Sequence, residues 1–172
     1  SVCETLADDM AELGMARDKI TVHYTGLDRD LFRPMDHVGL KKRLGESFGI
    51  PLAASDTVLV TVGALIERKG QAFVIKALAD LPNARLLLVG AGADETSLRG
   101  LARQVGVADR VHFLGSLEPA LLPPILSAAD AMVLPSASEG LANAWIEALA
   151  CGTPIVITDA GGAREVVTSP AA

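Results

Sequence analysis

Thr57-Val58-Leu59-Val60-Thr61-Val62-Gly63 is apolar or β-branched at every position up to the glycine that closes it. A strand with one wet face would alternate apolar and polar residues. This one does not, so it reads as a strand covered on both faces. Runs of the same kind recur at 85–90 (RLLLVG), 110–114 (RVHFL), 130–134 (DAMVL) and 154–158 (PIVIT). Helical stretches separate them at about 70–80, 94–105, 120–128 and 143–150. Strands that alternate with helices are joined by right-handed crossovers, which demands parallel strands and helices on both faces. The expected fold class is therefore α/β: a Rossmann-like three-layer α/β/α arrangement around a mostly parallel sheet.

Upstream of this regular part the pattern is looser. Ser1 to Gly14 reads as a helix, with Leu6, Met10 and Leu13 at helical spacing and Gly14 as its stop. A β-branched run, Ile20 to Tyr24, follows, and the Gly/Asp-rich stretch from Thr25 to Pro34 reads as a linker. Another amphipathic helix is expected over Val38 to Phe48.

The 172 residues suffice for one domain with a full core, and the interior must be built from Ala, Leu and Val, because aromatics make up 3% of a chain that is 50% hydrophobic. A net charge of −6 argues against a broad nucleic-acid surface. Cys3 and Cys151 are too few and too distant for a disulfide scaffold or a zinc site, and read as small buried residues of a reducing compartment. No apolar run is long enough for a membrane-spanning helix, and the first residues, SVCETLADDM, have no signal-peptide character. A cytoplasmic location is expected.

In a parallel sheet ligands gather at the carboxyl ends of the strands, so the loops after 63, 90, 114, 134 and 158 carry the functional question. The loop after 134 reads Pro135-Ser136-Ala137-Ser138-Glu139-Gly140 and is expected to open a helix near Leu141 or Ala142. The first amides of a helix lack internal partners and sit at the positive end of its dipole, which suits a diphosphate. Glu139 and Glu147 frame that junction, about two helical turns apart. A carboxylate can accept hydrogen bonds from two neighbouring sugar hydroxyls. Alone, such glutamates would be ordinary surface residues. The loop after 63 brings Arg68 and Lys69, a fork and a point charge suited to phosphate, just ahead of a helix.

Two glycine pairs complete the set. Val89-Gly90-Ala91-Gly92 starts like a dinucleotide fingerprint, but Glu95 replaces its third glycine, so a tight turn with close backbone approach is the better reading. Gly161-Gly162, after the last strand, lets the backbone approach a ligand or simply forms a loop, with a helix starting at Arg164. His23, His37 and His112 have no metal-ligand spacing, and no G-x-S-x-G nucleophile setting occurs.

Taken together, these segments resemble the retaining glycosyltransferases of the two-Rossmann-domain type, family four of the sugar-transferase classification. Glu139 to Glu147 is similar to that family's E-x7-E motif. Thr25-Gly26-Leu27-Asp28 with Phe32 and Pro34 resembles its interdomain N-G-V-D…F-x-P segment, and Gly63 to Gly70 its G-R-x-x-x-x-K-G loop. Val89 to Gly92, Val111 to Gly115, Glu147 to Val156 and Gly161-Gly162…Glu165 extend the match over nearly the whole chain. One position departs: Ala64 stands where the family has a diphosphate-binding Arg. Arg68 can supply that charge only if its side chain turns into the cleft.

The resemblance implies one half of a two-domain enzyme. Residues 1–34 would be the residual end of the N-terminal domain with the interdomain linker, and 35–172 a nucleotide-sugar-binding domain truncated at its C-terminus. Lys69 would pair with the donor diphosphate and Glu139 with the donor sugar's hydroxyls. Gly63 would belong to the diphosphate loop, the amides of Gly140, Leu141 and Ala142 would take phosphate oxygens, Glu147 would hold the ribose, and Leu117 would flank the base. The partner is a nucleotide diphosphate sugar, with no cofactor, no essential metal and no protein nucleophile implied. The acceptor, and any peripheral membrane contact, would belong to the absent N-terminal domain, and the isolated chain would transfer nothing. A nucleotide-sugar epimerase or a sugar phosphorylase on the same scaffold, and a non-catalytic nucleotide-binding module, are the competing expectations.

Overall fold

The computed structural model describes residues 1–36 and 39–167. It shows a five-stranded sheet in the order β3-β2-β1-β4-β5: β1 (Thr57–Val62), β2 (Ala84–Val89), β3 (Val111–Gly115), β4 (Ala131–Leu134) and β5 (Ile155–Ile157). Every pairing is parallel. The helices are α1 (Glu4–Glu12), α2 (Leu40–Phe48), α3 (Gln71–Ala77), α4 (Glu95–Val105), α5 (Leu122–Ala128), α6 (Asn143–Ala150) and α7 (Ala163–Val166). The three-layer α/β/α expectation holds, with strand bounds within a residue or so of those read from the sequence. Val38, the expected first residue of α2, lies outside the described residues, as do His37 and residues 168–172.

β2 shows why the strands read as continuous apolar runs. Leu86 and Leu88 pack to one side with Leu65, Val74, Ile75, Leu78, Leu98 and Ala102 beneath α3 and α4. Leu87 and Val89 point to the other, with Val60, Leu126, Met132, Leu134 and Trp145 beneath α2, α5 and α6. Alternate residues supply both cores, so the run from Leu86 to Val89 is apolar at every position. Trp145 is fully buried, and Cys3 and Cys151 are buried free thiols.

At the amino ends of the strands an ionic girdle ties helix to sheet. Asp130 accepts from Lys41 Nζ at 2.8 Å and from the Val58 amide at 2.7 Å, and Asp56 accepts from Arg85 at 2.7 Å. At the carboxyl ends the strand order matters. Chain order reverses between β1 and β4: the chain leaves β1 for α3 on one face of the sheet and β4 for α6 on the other, the arrangement that leaves a crevice at the strand ends.

The Ile20 to Tyr24 run forms no strand. It runs beside the chain's first residues instead, with the His23 amide donating to the Ser1 carbonyl at 2.8 Å. Gly90 and Gly92 are explained by close approach, as expected. An added Cβ would lie 2.0 Å from the Gly63 carbonyl oxygen at Gly90, and 2.2 Å from that of Leu65 at Gly92.

Candidate functional site

The loop after β1 and the loop after β4 are stitched together over the crevice. The Ala137 amide donates to the Arg68 carbonyl at 2.8 Å, and Arg68 Nη1 donates to the Ser138 carbonyl at 2.6 Å. Gly70, at φ 73°, presses on the tip of β4, where an added Cβ would be 2.2 Å from the Pro135 carbonyl oxygen. Only glycine tolerates both that angle and that distance. The two loops meet in the interior of the sheet, because β1 and β4 are neighbours there.

Between the loops, Lys69 Nζ donates to Glu139 Oε1 at 2.5 Å. Both side chains are largely shielded from water, at 14% and 7% exposure, so removing either partner would leave the other's charge buried and unmatched. The Lys69 methylenes run over Gly63, 3.8 Å from where a Cβ would sit. The ammonium thereby reaches a cleft of about 400 Å³ lined by Val62, Gly63, Lys69, Leu141, Ala142, Asn143, Ala144 and Glu147, among others. Glu147 is half-buried there, and burial raises its carboxyl pKa above the ordinary range. Residues far apart in sequence, Gly63, Lys69 and Glu147, thus share one cleft, with Glu139 bound to Lys69 beside it.

Some expected contributors stand elsewhere. Helix α6 begins at Asn143, not at Leu141 or Ala142. Ala142 is extended (φ −74°, ψ 121°) as its N-cap, because the preceding residues are held down by the loop after β5. The Gly140 carbonyl accepts from the Gly162 amide at 2.7 Å, and an added Cβ on Gly161 would be 1.9 Å from the Glu139 carbonyl oxygen. The first helical amides, those of Asn143 and Ala144, have no intrahelical partner; both residues, which the sequence reading did not single out, line the cleft together with the expected Leu141 and Ala142. The extended backbone at Ala142 that moves the helix start has no signature in composition. Gly161-Gly162 packs on this loop, and α7 starts at Ala163, one residue before the expected Arg164. Arg68 is not in the cleft lining; its guanidinium is taken up by Ser138 and lies 3.8 Å from Glu139 Oε2, half-exposed on the outer side. Leu117 is partly buried against the core under α5 and is also absent from the cleft lining.

Comparison with known proteins decides the family. A model of the glycosyl transferases group 1 matches residues 42–171. The chain belongs to the group 1 glycosyl transferases. Among curated relatives of this transferase domain, the D-inositol 3-phosphate glycosyltransferase of Mycobacteroides abscessus is 36% identical over 149 residues, 84% of this chain and 32% of the relative. The GDP-mannose-dependent monoacylated alpha-(1-6)-phosphatidylinositol monomannoside mannosyltransferase of Corynebacterium glutamicum is 36% identical over 158 residues, 84% of this chain and 39% of its own length. The chain therefore spans about a third of the length of these curated relatives. Among solved structures, Anabaena Alr3699/HepE in complex with UDP-glucose superposes with a TM-score of 0.86 at 28% identity, over 97% of this chain and 46% of that one. The sucrose-phosphate synthase of Thermosynechococcus elongatus gives 0.75 at 28% identity, over 91% and 40%. No helix among the described residues is long and apolar enough to cross a membrane.

Proposed function

We propose that this transferase domain is the donor-binding half of a retaining enzyme that moves a sugar from a nucleotide diphosphate sugar to an acceptor. The observation that carries the reading is the Lys69–Glu139 pair at the β1–β4 crevice, with Glu147 in the adjoining cleft. The diphosphate lies against Lys69 Nζ and the Asn143 and Ala144 amides, where the positive end of α6 meets the charge that grows on the leaving group. Glu139, released from part of its bond to Lys69, accepts hydrogen bonds from the transferred sugar. Glu147 accepts from the ribose. Retention at the anomeric carbon follows from the likeness of Glu139…Glu147 to the E-x7-E motif of retaining members. The bound UDP-glucose of the Anabaena structure supports a nucleotide-sugar donor. The acceptor side lies in a preceding domain, so this chain alone binds donor weakly and transfers nothing.

Calorimetry with UDP, GDP and ADP tests the site. Lys69→Ala is expected to weaken binding of the preferred nucleotide by about tenfold or more, the size of a charge-assisted hydrogen bond. Equal affinity would remove Lys69 from the site. NMR of the product anomer formed by an enzyme that contains this domain tests retention; an inverted product overturns it.

A second reading, a non-catalytic nucleotide-binding module, is favoured by one observation: Ala64 removes a cation and Arg68, bonded to Ser138, does not line the cleft in its place. Turnover by an enzyme carrying this domain ends it.

A further inference from the structure

Glu165 stands outside the cleft, on the short helix α7, yet its carboxylate is engaged by the opposite end of the chain. It accepts from the Glu4 amide at 3.1 Å, the Thr5 amide at 3.2 Å, the Thr5 hydroxyl at 3.3 Å and the Tyr24 hydroxyl at 2.9 Å. Glu4 and Thr5 open α1, so their amides have no intrahelical partner, and a carboxylate from a distant segment caps them. Burial pushes the Glu165 carboxyl up, but the amides of Glu4 and Thr5 and the hydroxyls of Tyr24 and Thr5 outweigh it and hold the pKa below the usual range.

What the cap holds down is the second part of the observation. With α1 docked, Val2 lies 3.0 Å and Leu6 3.9 Å from where a Cβ of Gly140 would be, and Cys3 lies 3.0 Å from that of Gly162. From the other side the Gly162 amide holds the Gly140 carbonyl, and Gly161 abuts the Glu139 carbonyl. The Glu139–Gly140 backbone is therefore gripped between the start of α7 and the start of α1, and Glu165 joins the two jaws.

We propose that Glu165 is a positioning residue: the latch through which residues 1–24 set the loop that carries Glu139. The inference rests on the reading of that loop as part of the donor site, but its test uses no donor, so either can fail without the other. NMR-detected amide exchange is compared in the wild-type chain, Glu165→Ala and Glu165→Gln. Ala7 (bonded to Cys3) reports α1; Ala137 (bonded to Arg68) and Trp145 (bonded to Ala142) bracket the loop; Val58 to Val62 report the sheet. In Glu165→Ala the amides of Ala7, Ala137 and Trp145 are expected to exchange about tenfold faster or more, while β1 stays at the wild-type rate. Glu165→Gln, which keeps an acceptor oxygen, is expected to recover part of the difference. Should the Ala variant not fold, Tyr24→Phe removes one exposed hydroxyl from the same carboxylate and is read at the same amides. Faster exchange confined to Ala7, or spread evenly over the loop and β1, overturns the latch.

Discussion

Ala64 and Glu147 set the character of the cleft more than any other side chains. With Ala64 in place of an arginine, Lys69 is, among the described residues, the one cation in the cleft lining, and it is already paired with Glu139. Ala64→Arg is accordingly expected to tighten nucleoside diphosphate binding by about tenfold, one further charge-assisted contact, as read by calorimetry. Glu147 pulls the other way. Burial raises its carboxyl pKa, so the folded state holds that proton more firmly than the unfolded chain does. Stability from this group is present at acidic pH and is lost as pH rises through the raised value. Glu147→Gln is expected to raise the melting temperature at neutral pH and to lose that advantage in mild acid, while weakening ribose binding. A melting temperature difference independent of pH would mean that the carboxylate is well solvated. That Lys69, Glu139 and Glu147 would gather at one place was legible because their types and spacing resemble a known motif. The engagement of Arg68 with Ser138 was not, since a rotamer choice on a half-exposed side chain leaves no trace in sequence.

Among the elements, the strands were the easiest to read and the helix starts the hardest. A strand covered on both faces is apolar along most of its length, which one chain segment displays by itself, as in Leu86 to Val89. The start of α6 depends instead on Gly161 and Gly162 holding the Glu139–Gly140 backbone, a contact between segments some twenty residues apart in the chain. Gly161→Ala is expected to cost about 2 kcal/mol or more, because φ is 54° and the new methyl would strike the Glu139 carbonyl. Gly100→Ala is expected to do the reverse. It sits within α4 with no heavy atom in contact range of an added Cβ, so lowering the entropy of the unfolded chain stabilises by about 0.5–1 kcal/mol. Denaturant midpoints read both signs. The Ile20 to Tyr24 run shows the limit of local propensity: its backbone bonds to Ser1 and not to a strand, so β-branched residues alone make no strand.

For the molecule as a whole, the strand order 3-2-1-4-5 is what turns scattered motifs into one site. It sets β1 beside β4 and points the loops carrying Lys69 and Glu139 at each other. The chain's one Trp, Trp145, fixes α6 beneath that junction from within the core. Trp145→Ala is expected to lower stability by about 3–5 kcal/mol in urea titration, the cost of a large buried aromatic, and to blunt nucleotide binding through the displaced helix. By itself the sequence determined the alternation of strand and helix, the parallel sheet, the family resemblance and the identity of the charged residues, because periodicity and residue type are properties of contiguous segments. The tertiary structure decided which of those charges meet, where α6 starts, that Arg68 and Leu117 stay out of the cleft, and that Glu165 holds α1. Each of these rests on contacts between distant segments, a matter of packing in three dimensions rather than of any one segment's preferences.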